Sequence, residues 1–510
     1  MAGWVARAER ALRWGWPVGL AGLLGYRFVD PEVSHLAHFF DDFYYYLVVA
    51  EHWVFDGSPT FDGVVATNGV HPLWFGVISA LLWLWGGSSL GFFVAVTTVV
   101  GLGLWTAFEA HRAALRSLGV GAFTATSTAW AVSVVAVPLA TAGLETAAVL
   151  GLSAALNLWL LRRPWATQTL GAAAATGLLA SLVVLARIDA VFYVAVLLVA
   201  MTAAAPSWRR LAAFGAGGML LPIWLVGDRA LFGAWLPVSG AAKQLVVGGL
   251  PTMDLKWGFF GFVPSFAALT HPIYLLYAAT AWGLIGAAAS SRQARPALAA
   301  ALVAPYLVWS VYLVRSDWGL SFWYAYPLPL AVVAAVGLAL PGRGPDAERR
   351  WTVLMLWFGA VHLMQTWTPW LGRTNTLFVE SQEIAAELAR EPMRTAMGDR
   401  AGTLAYLLPG RVLVQTEGLV MDRAFVDAIA AERDLIEVLQ ERGAQRLVVT
   451  RPGPPAPPDA DGCYRVEEPS EGQAGTRSAK LRGRFCDAPV WERAWPHGGY
   501  TRIFRVPSAR

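Results

Sequence analysis

Lysine and arginine are absent from the whole stretch between Arg27 and Arg112. Charge of either sign is scarce elsewhere too: 15% of the 510 residues are charged and 56% are hydrophobic. A soluble chain of this size carries about 25% charged residues, so an ordinary soluble enzyme is excluded. The net charge of +4 is small and gives no electrostatic footprint for nucleic acid. Cysteine is nearly absent, with Cys463 and Cys486 alone, both near the C-terminus. An extracytoplasmic location would let them pair, but spacing does not set geometry, and two free thiols remain equally open. No A-x-A-like cleavage site follows the apolar run that starts at Trp14 behind Arg7, Arg10 and Arg13, so this run reads as an uncleaved first helix. No repeat of solenoid type is visible.

What the chain has instead is apolar runs, roughly at 14–29, 71–86, 89–110, 120–139, 143–161, 168–186, 189–205, 211–230, 270–290, 297–314, 320–341 and 352–370. Crossing a bilayer takes about 20 apolar residues per helix. The expected fold class is therefore a polytopic α-helical membrane protein of about 12–13 transmembrane helices, with span ends uncertain by several residues. The 25 tryptophans suit interfacial anchoring. Short basic connections recur at Arg112 and Arg116, Arg162 and Arg163, Arg209 and Arg210, Arg292 and Arg295, and Arg343 to Arg350. Successive basic connections are two spans apart, as cytoplasmic loops would be. The Lys/Arg-free stretch then faces the other side. One conflict arises: two spans within 71–110 would leave Arg112 on the wrong side, so either that region crosses once net or a span is miscounted. Residues 1–370 form the membrane domain, with 30–70 as its first extracytoplasmic loop. Residues 371–510 form a small soluble α/β domain, with helices over Ser381–Arg390 and Asp427–Gln440, short strands over Arg411–Gln415 and Arg446–Thr450, and a proline-rich turn at Pro452–Pro458.

The loop concentrates chemistry. Seven carboxylates, Asp30, Glu32, Asp41, Asp42, Glu51, Asp56 and Asp62, lie in the first half of the Lys/Arg-free stretch. Adjacent carboxylates such as Asp41 and Asp42 repel, which raises the pKa of one and allows the two to take different roles. Tyr44, Tyr45 and Tyr46 follow and offer rings that stack on a sugar. Asp56-Gly57, Asp62-Gly63 and Asn68-Gly69 are turn signals, and Pro72 suits the first position of a helix. The plainer reading is a solvated acidic loop in which Asp41 or Asp42 caps a helix over Phe43–Val54. Arg187 and Asp189 equally suit a structural ion pair between spans, Glu145 a bond to a neighbouring helix, and Tyr324 and Tyr326 an interfacial belt.

The stretch Asp41–Trp74, with two acids, an aromatic run, a TFDG turn and TNGVHPLW, resembles the catalytic loop of the GT-C superfamily of integral membrane glycosyltransferases. More narrowly it is similar to relatives of the protein O-mannosyltransferases and the lipid A aminoarabinose transferases. Gly143-Leu144-Glu145-Thr146 resembles the family's GLET segment, and Leu185–Asp189 an LxRPD segment with Ile188 in place of proline. Leu231-Phe232-Gly233, Pro237, Ser239 and Lys243 resemble another shared segment, as do Trp323-Tyr324 and Pro327. Asp399–Val420 resembles the opening of the C-terminal domain, with Glu417 where aspartate is usual.

The resemblance implies a glycosyltransferase of the bacterial inner membrane. It would transfer a sugar, with inversion, from a polyprenyl-phosphate-linked donor to an envelope glycan, glycolipid or protein acceptor on the extracytoplasmic face. Asp41 maps to the general base and Asp42 to its supporting acid. Tyr45, His71, Arg187, Lys243 and Tyr324 are the candidate substrate-binding residues, the cations meeting the leaving phosphate. A divalent metal is used by some family members; no ligand set of characteristic spacing is visible here, and the requirement stays open. Asp399 and Glu417 read as folding residues of the C-terminal domain. A transporter or flippase of lipid-linked intermediates is the competing class, and it would ask for an internal repeat. A non-catalytic envelope-assembly scaffold is the third.

Overall fold

A computed structural model describes residues 2–29, 34–246, 298, 300–304, 316, 318, 324, 326–364, 376–470, 473–475, 478–496 and 498–508. Asp30, Glu32, the segment 270–290, Arg292, Arg295, most of 297–314 and Trp323 lie outside the described residues.

The helical part begins with α1 (Ala2–Tyr26), which starts earlier than the apolar run and carries its arginines on the helix. Then come α2 (Asp41–Glu51), α3 (Pro72–Trp85), α4 (Leu90–Ser117), α5 (Ala122–Ala140), α6 (Thr146–Arg162), α7 (Leu170–Ala186) and α8 (Val191–Ala204). After these follow α9 (Trp208–Gly217), α10 (Leu220–Phe232), α11 (Val238–Ala242), α12 (Leu328–Ala339) and α13 (Pro345–His362). Among the described residues, α4 alone is long and apolar enough to cross a bilayer unaided. The run expected as one span over 211–230 is instead α9 and α10, bent by 51° at Gly217-Gly218. Shorter apolar helices of 10–17 residues make up most of the rest. The centre of the layer is the α4–α6 pair. A Cβ on Gly103 would lie 2.7 Å from the Ala147 carbonyl oxygen, and one on Gly151 2.8 Å from that of Gly103. Only glycine at both positions lets the two backbones approach this closely.

The helix α3 corrects the sequence reading of 71–86 as a span. Its N-terminal neighbour His71 lies against the α7–α8 turn, where the Ile188 N–H donates to His71 Nδ1. Just past its other end, Ser88 meets the Tyr406 hydroxyl at 3.4 Å, and Tyr406 also stacks near Tyr44 and Phe93. Both ends of α3 therefore lie at the same end of the helical layer. Fourteen residues span only about 21 Å, short of a hydrocarbon core of about 30 Å. Trp83, Leu84 and Trp85 are exposed at its C-terminus, as suits an interfacial helix. Were 71–86 not counted as a span, the conflict over Arg112 would not arise.

The C-terminal part comprises α14 (Thr376–Leu388), β1 (Thr395–Met397), α15 (Ala401–Leu407), β2 (Val414–Gln415), α16 (Arg423–Ala430), α17 (Leu435–Glu441), β3 (Arg446–Pro452), β4 (Tyr464–Glu468), β5 (Leu481–Phe485), β6 (Trp491–Ala494) and β7 (Gly499–Arg505). The main sheet runs β2-β1-β3-β7-β6, parallel across its first three strands and antiparallel beyond. An α/β domain was expected. The single helix read over Asp427–Gln440 is broken, because Glu432 turns to positive φ and Asp434 accepts the Ile436 and Glu437 N–H groups to start α17. Cys463 and Cys486 are joined as a disulfide beside the β4–β5 hairpin, which closes the question that spacing left open.

Candidate functional site

The acid pair sits in the first turn of α2, where carboxylates favour the positive end of the helix dipole. The reading of Asp41 or Asp42 as the cap of this helix does not hold: the N-cap is Phe40, with no side-chain cap bond. Asp41 reaches across the chain to α15 instead. The Thr403 N–H donates to Asp41 Oδ1 at 2.6 Å, and the Gly402 N–H donates to Oδ2 at 3.2 Å. The acid of the first loop thus takes the unsatisfied donors at a helix N-terminus of the C-terminal domain. Gly402 is required there, because a Cβ would overlap the Asp41 carbonyl oxygen. Gly402→Ala is expected to push α15 off α2, lowering both thermal stability and any activity that needs Asp41. A protease-resistance assay on the full chain checks this, and unchanged resistance would disprove the seam.

Two further clasps hold the loop under this domain. The Thr67 hydroxyl donates to the Met421 carbonyl at 2.8 Å. Asn68 donates to Asp228 at 2.8 Å and accepts the Val238 N–H at 3.1 Å. The Asn68-Gly69 turn signal therefore also brings α10 and α11, and with them Lys243, to the acid pair.

Between these elements lies a cavity of about 310 Å³. Asp41, Asp42 and Tyr45 line it from the loop, Lys243, Trp318 and Tyr324 from the later membrane-side segments, and Asp399, Arg400, Thr403 and Glu417 from the C-terminal domain. Burial pushes the Asp41 carboxyl up to about 6; the Thr403 N–H pulls against this, while Asp42 and Asp399 add to it. Burial also raises Asp42, opposed by the Lys243 ammonium. For Lys243 burial works against the charge, but the Tyr324 phenol and Asp42 outweigh it and its pKa is raised. Its Nζ lies 3.3 Å from the Tyr324 hydroxyl and over the Trp318 ring. Asp399 and Glu417 are both raised by burial, Glu417 well above the carboxylate range. Arg400 is already engaged by Glu380 and Asp399. The cavity thus has a carboxylate side and a lysine side.

Of the sequence candidates, Asp41, Asp42, Tyr45, Lys243 and Tyr324 converge here. His71 and Arg187 do not line the cavity. They belong to a buried network behind Tyr324, whose ring lies 4.6 Å from the Arg187 guanidinium. Arg187 donates to Glu145 at 2.5 Å and to both Asp189 oxygens at 3.1 Å. The hydroxyls of Tyr46 and Tyr326 complete the shell on Glu145 and Asp189, each at 3.0 Å. His71 Nε2 lies 3.7 Å from Glu145. Tyr44 and Tyr46 are spent on such bonds, Tyr44 on the Leu36 carbonyl at 2.6 Å, so of the three tyrosines only Tyr45 faces the cavity. Residues read as merely structural, Asp399 and Glu417, prove to be cavity wall. Their signal was present in the Asp399–Val420 element that carried part of the resemblance. Among the described residues no group of three or more His, Cys, Asp or Glu could hold a metal ion.

No family model and no curated protein sequence matches the chain. Solved structures do. It is similar to the Archaeoglobus fulgidus oligosaccharyltransferase in its apo form, at 10% identity and TM-score 0.51 over 86% of this chain and 69% of that one. It is similar to ArnT from Cupriavidus metallidurans in its apo state, at 15% identity and TM-score 0.52 over 86% of this chain and 93% of that one. The chain shares the fold of these two proteins. The first-loop acids, the segment carrying Lys243 and the C-terminal domain meet at one end of this shared fold.

Proposed function

We propose that the protein is a membrane glycosyltransferase. It takes a sugar from a polyprenyl-phosphate-linked donor and transfers it, with inversion, to a hydroxyl of an envelope glycan, glycolipid or protein on the extracytoplasmic face of the bacterial inner membrane. The observation that carries this reading is a single cavity with ionisable carboxylates on one side and the Lys243–Tyr324 pair on the other. With α3 counted as interfacial, the first loop extends to Ser89, and Arg112, Arg116, Arg162 and Arg163 lie toward the ends of α4 and α6 away from the acid pair.

In this mechanism Asp41 accepts the proton of the acceptor hydroxyl, a task suited to a base whose pKa lies slightly below working pH. The acceptor oxygen attacks the anomeric carbon from the face opposite the phosphate. The carbon–oxygen bond to phosphate breaks, and the phosphate leaves with the electron pair. Lys243 and the Tyr324 hydroxyl meet that charge. Asp42 and Lys243 hold each other's charge in place. Near neutral pH the leaving phosphate needs no proton, so no second acid is required. Arg187 positions Tyr324 from behind.

The test is transfer of labelled sugar from a polyprenyl-phosphate donor by the full chain reconstituted in liposomes. Lys243→Met is expected to lower kcat/KM by about 10²-fold, the scale on which one transition-state donor matters. A wild-type protein that moves the lipid across the bilayer but forms no glycosidic bond would overturn the reading.

A further inference from the structure

A groove of about 630 Å³ lies far from the acid cavity, between the second halves of α4 and α6. Its floor and walls are Trp105, Ala110, Ala113, Ala155, Leu158 and Trp159, and its rim carries Arg112, Arg162 and Arg163. The two helices run parallel, Gly103 against Ala147 and Gly151 at the start and the arginines at the end. From Glu145, in the network behind Tyr324, to Arg162 is 17 residues of helix, or about 26 Å. The groove is thus displaced from the acid cavity by nearly one hydrocarbon thickness. It opens where the opposite headgroup layer would be, on the side that the basic connections mark as cytoplasmic.

The charges of the rim do not cancel. Arg13 of α1 and Arg112 both bond Glu109, at 2.9 Å and 2.7 Å, so two cations share one carboxylate. Arg162 and Arg163 are exposed and have no carboxylate partner among the described residues; Arg163 stacks 4.3 Å over the Trp159 ring. The local sum is strongly positive above an apolar slot. The planar guanidinium forks match phosphate oxygens two at a time. Trp159 is held in place by its own bond to Thr176 of α7, at 3.0 Å. Two exposed arginines without acids thus stand beside a half-buried tryptophan at the mouth of the groove.

We infer that this groove binds an anionic phospholipid of the cytoplasmic leaflet, its phosphate among Arg112, Arg162 and Arg163 and its upper acyl carbons against Trp105, Leu158 and Trp159. Charge complementarity at the rim and the apolar walls beneath it together select a lipid over a soluble anion. The site takes no part in sugar transfer, and it stands if the glycosyltransferase reading fails, provided the helical layer lies in a bilayer.

The test is native mass spectrometry of the full chain in neutral detergent, titrated separately with phosphatidylglycerol, phosphatidylcholine and inorganic phosphate. The expected result is a saturable site that prefers phosphatidylglycerol. Arg162→Gln with Arg163→Gln should weaken it about 30-fold, each surface arginine being worth roughly a fivefold factor. Arg162→Lys with Arg163→Lys, which keeps the charge, should recover most of the loss. Trp159→Leu, which removes the stacking platform but no charge, should weaken phosphatidylglycerol several-fold. Equal binding of the two lipids overturns the proposal, as does a preference unchanged by the double glutamine variant. Competition by millimolar inorganic phosphate as effective as that by lipid would also overturn it, by showing a headgroup site without a chain slot.

Discussion

Asp41→Asn is expected to lower the rate of sugar transfer by 10²- to 10⁴-fold, the range for losing a positioned general base. The substitution keeps the shape of the side chain and one acceptor oxygen for the Thr403 N–H. The Gly402 bond is weakened, so protease resistance is measured alongside to show that the C-terminal domain stays docked. Donor affinity should change little, because Lys243 and Tyr324 lie on the other side of the cavity. Asp42→Asn, which removes a charge facing Lys243 but not the base, should cost about tenfold. The wild-type pH profile carries the same signature. A base is active when ionised, and burial raises Asp41 to about 6, so kcat/KM should rise with pH through about 6 and level off above it. Single-turnover assays across pH 5 to 8 provide the check. An asparagine variant at wild-type rate would end the assignment.

Arg187→Met should be the most destabilising single change in the helical part. The guanidinium is 2% exposed, and the two acids it holds, Glu145 and Asp189, are 3% and 8% exposed. Removing it strands two buried carboxylates, and breaking a buried pair from one side costs about 3–5 kcal/mol. The expected readout is a large drop in thermal unfolding temperature in detergent. Lysine should rescue only partly, because a point charge cannot serve Glu145 and Asp189 together as the fork does. Adding Glu145→Gln and Asp189→Asn to Arg187→Met should restore much of the stability, since no charge is then left unpaired. If the single variant melts like wild type, the network is not structural, and direct contact of Arg187 with substrate becomes the better account.

The contrast between these two residues shows how far pattern reading reached. Asp41 and Arg187 were both picked out by local motif, and at that level they look alike as ionisable groups near a membrane edge. The fold separates them: one lines a cavity, and the other is enclosed between two acids and two tyrosines. Tyr45 is the tyrosine named as a substrate residue, yet local chemistry alone does not part it from Tyr44 and Tyr46: three consecutive aromatics on a helix face three directions, and packing selects which one meets the cavity.

By itself the sequence determined the features that depend on composition and short-range order. The apolar runs, the Lys/Arg-free first loop, the basic connections and the α/β character of the C-terminal part all follow from hydrophobic transfer and periodicity, which neighbouring residues express without help. Tertiary structure alone decided that both ends of α3 lie at one end of the helical layer, that α9 and α10 bend apart, and that Asp399 and Glu417 wall the same cavity as Asp41. Each of those depends on contacts between residues far apart in the chain, such as Asp41 with Thr403 or Ser88 with Tyr406. The free energy of such contacts comes from burial and shared hydrogen bonds that exist only once the chain has closed on itself.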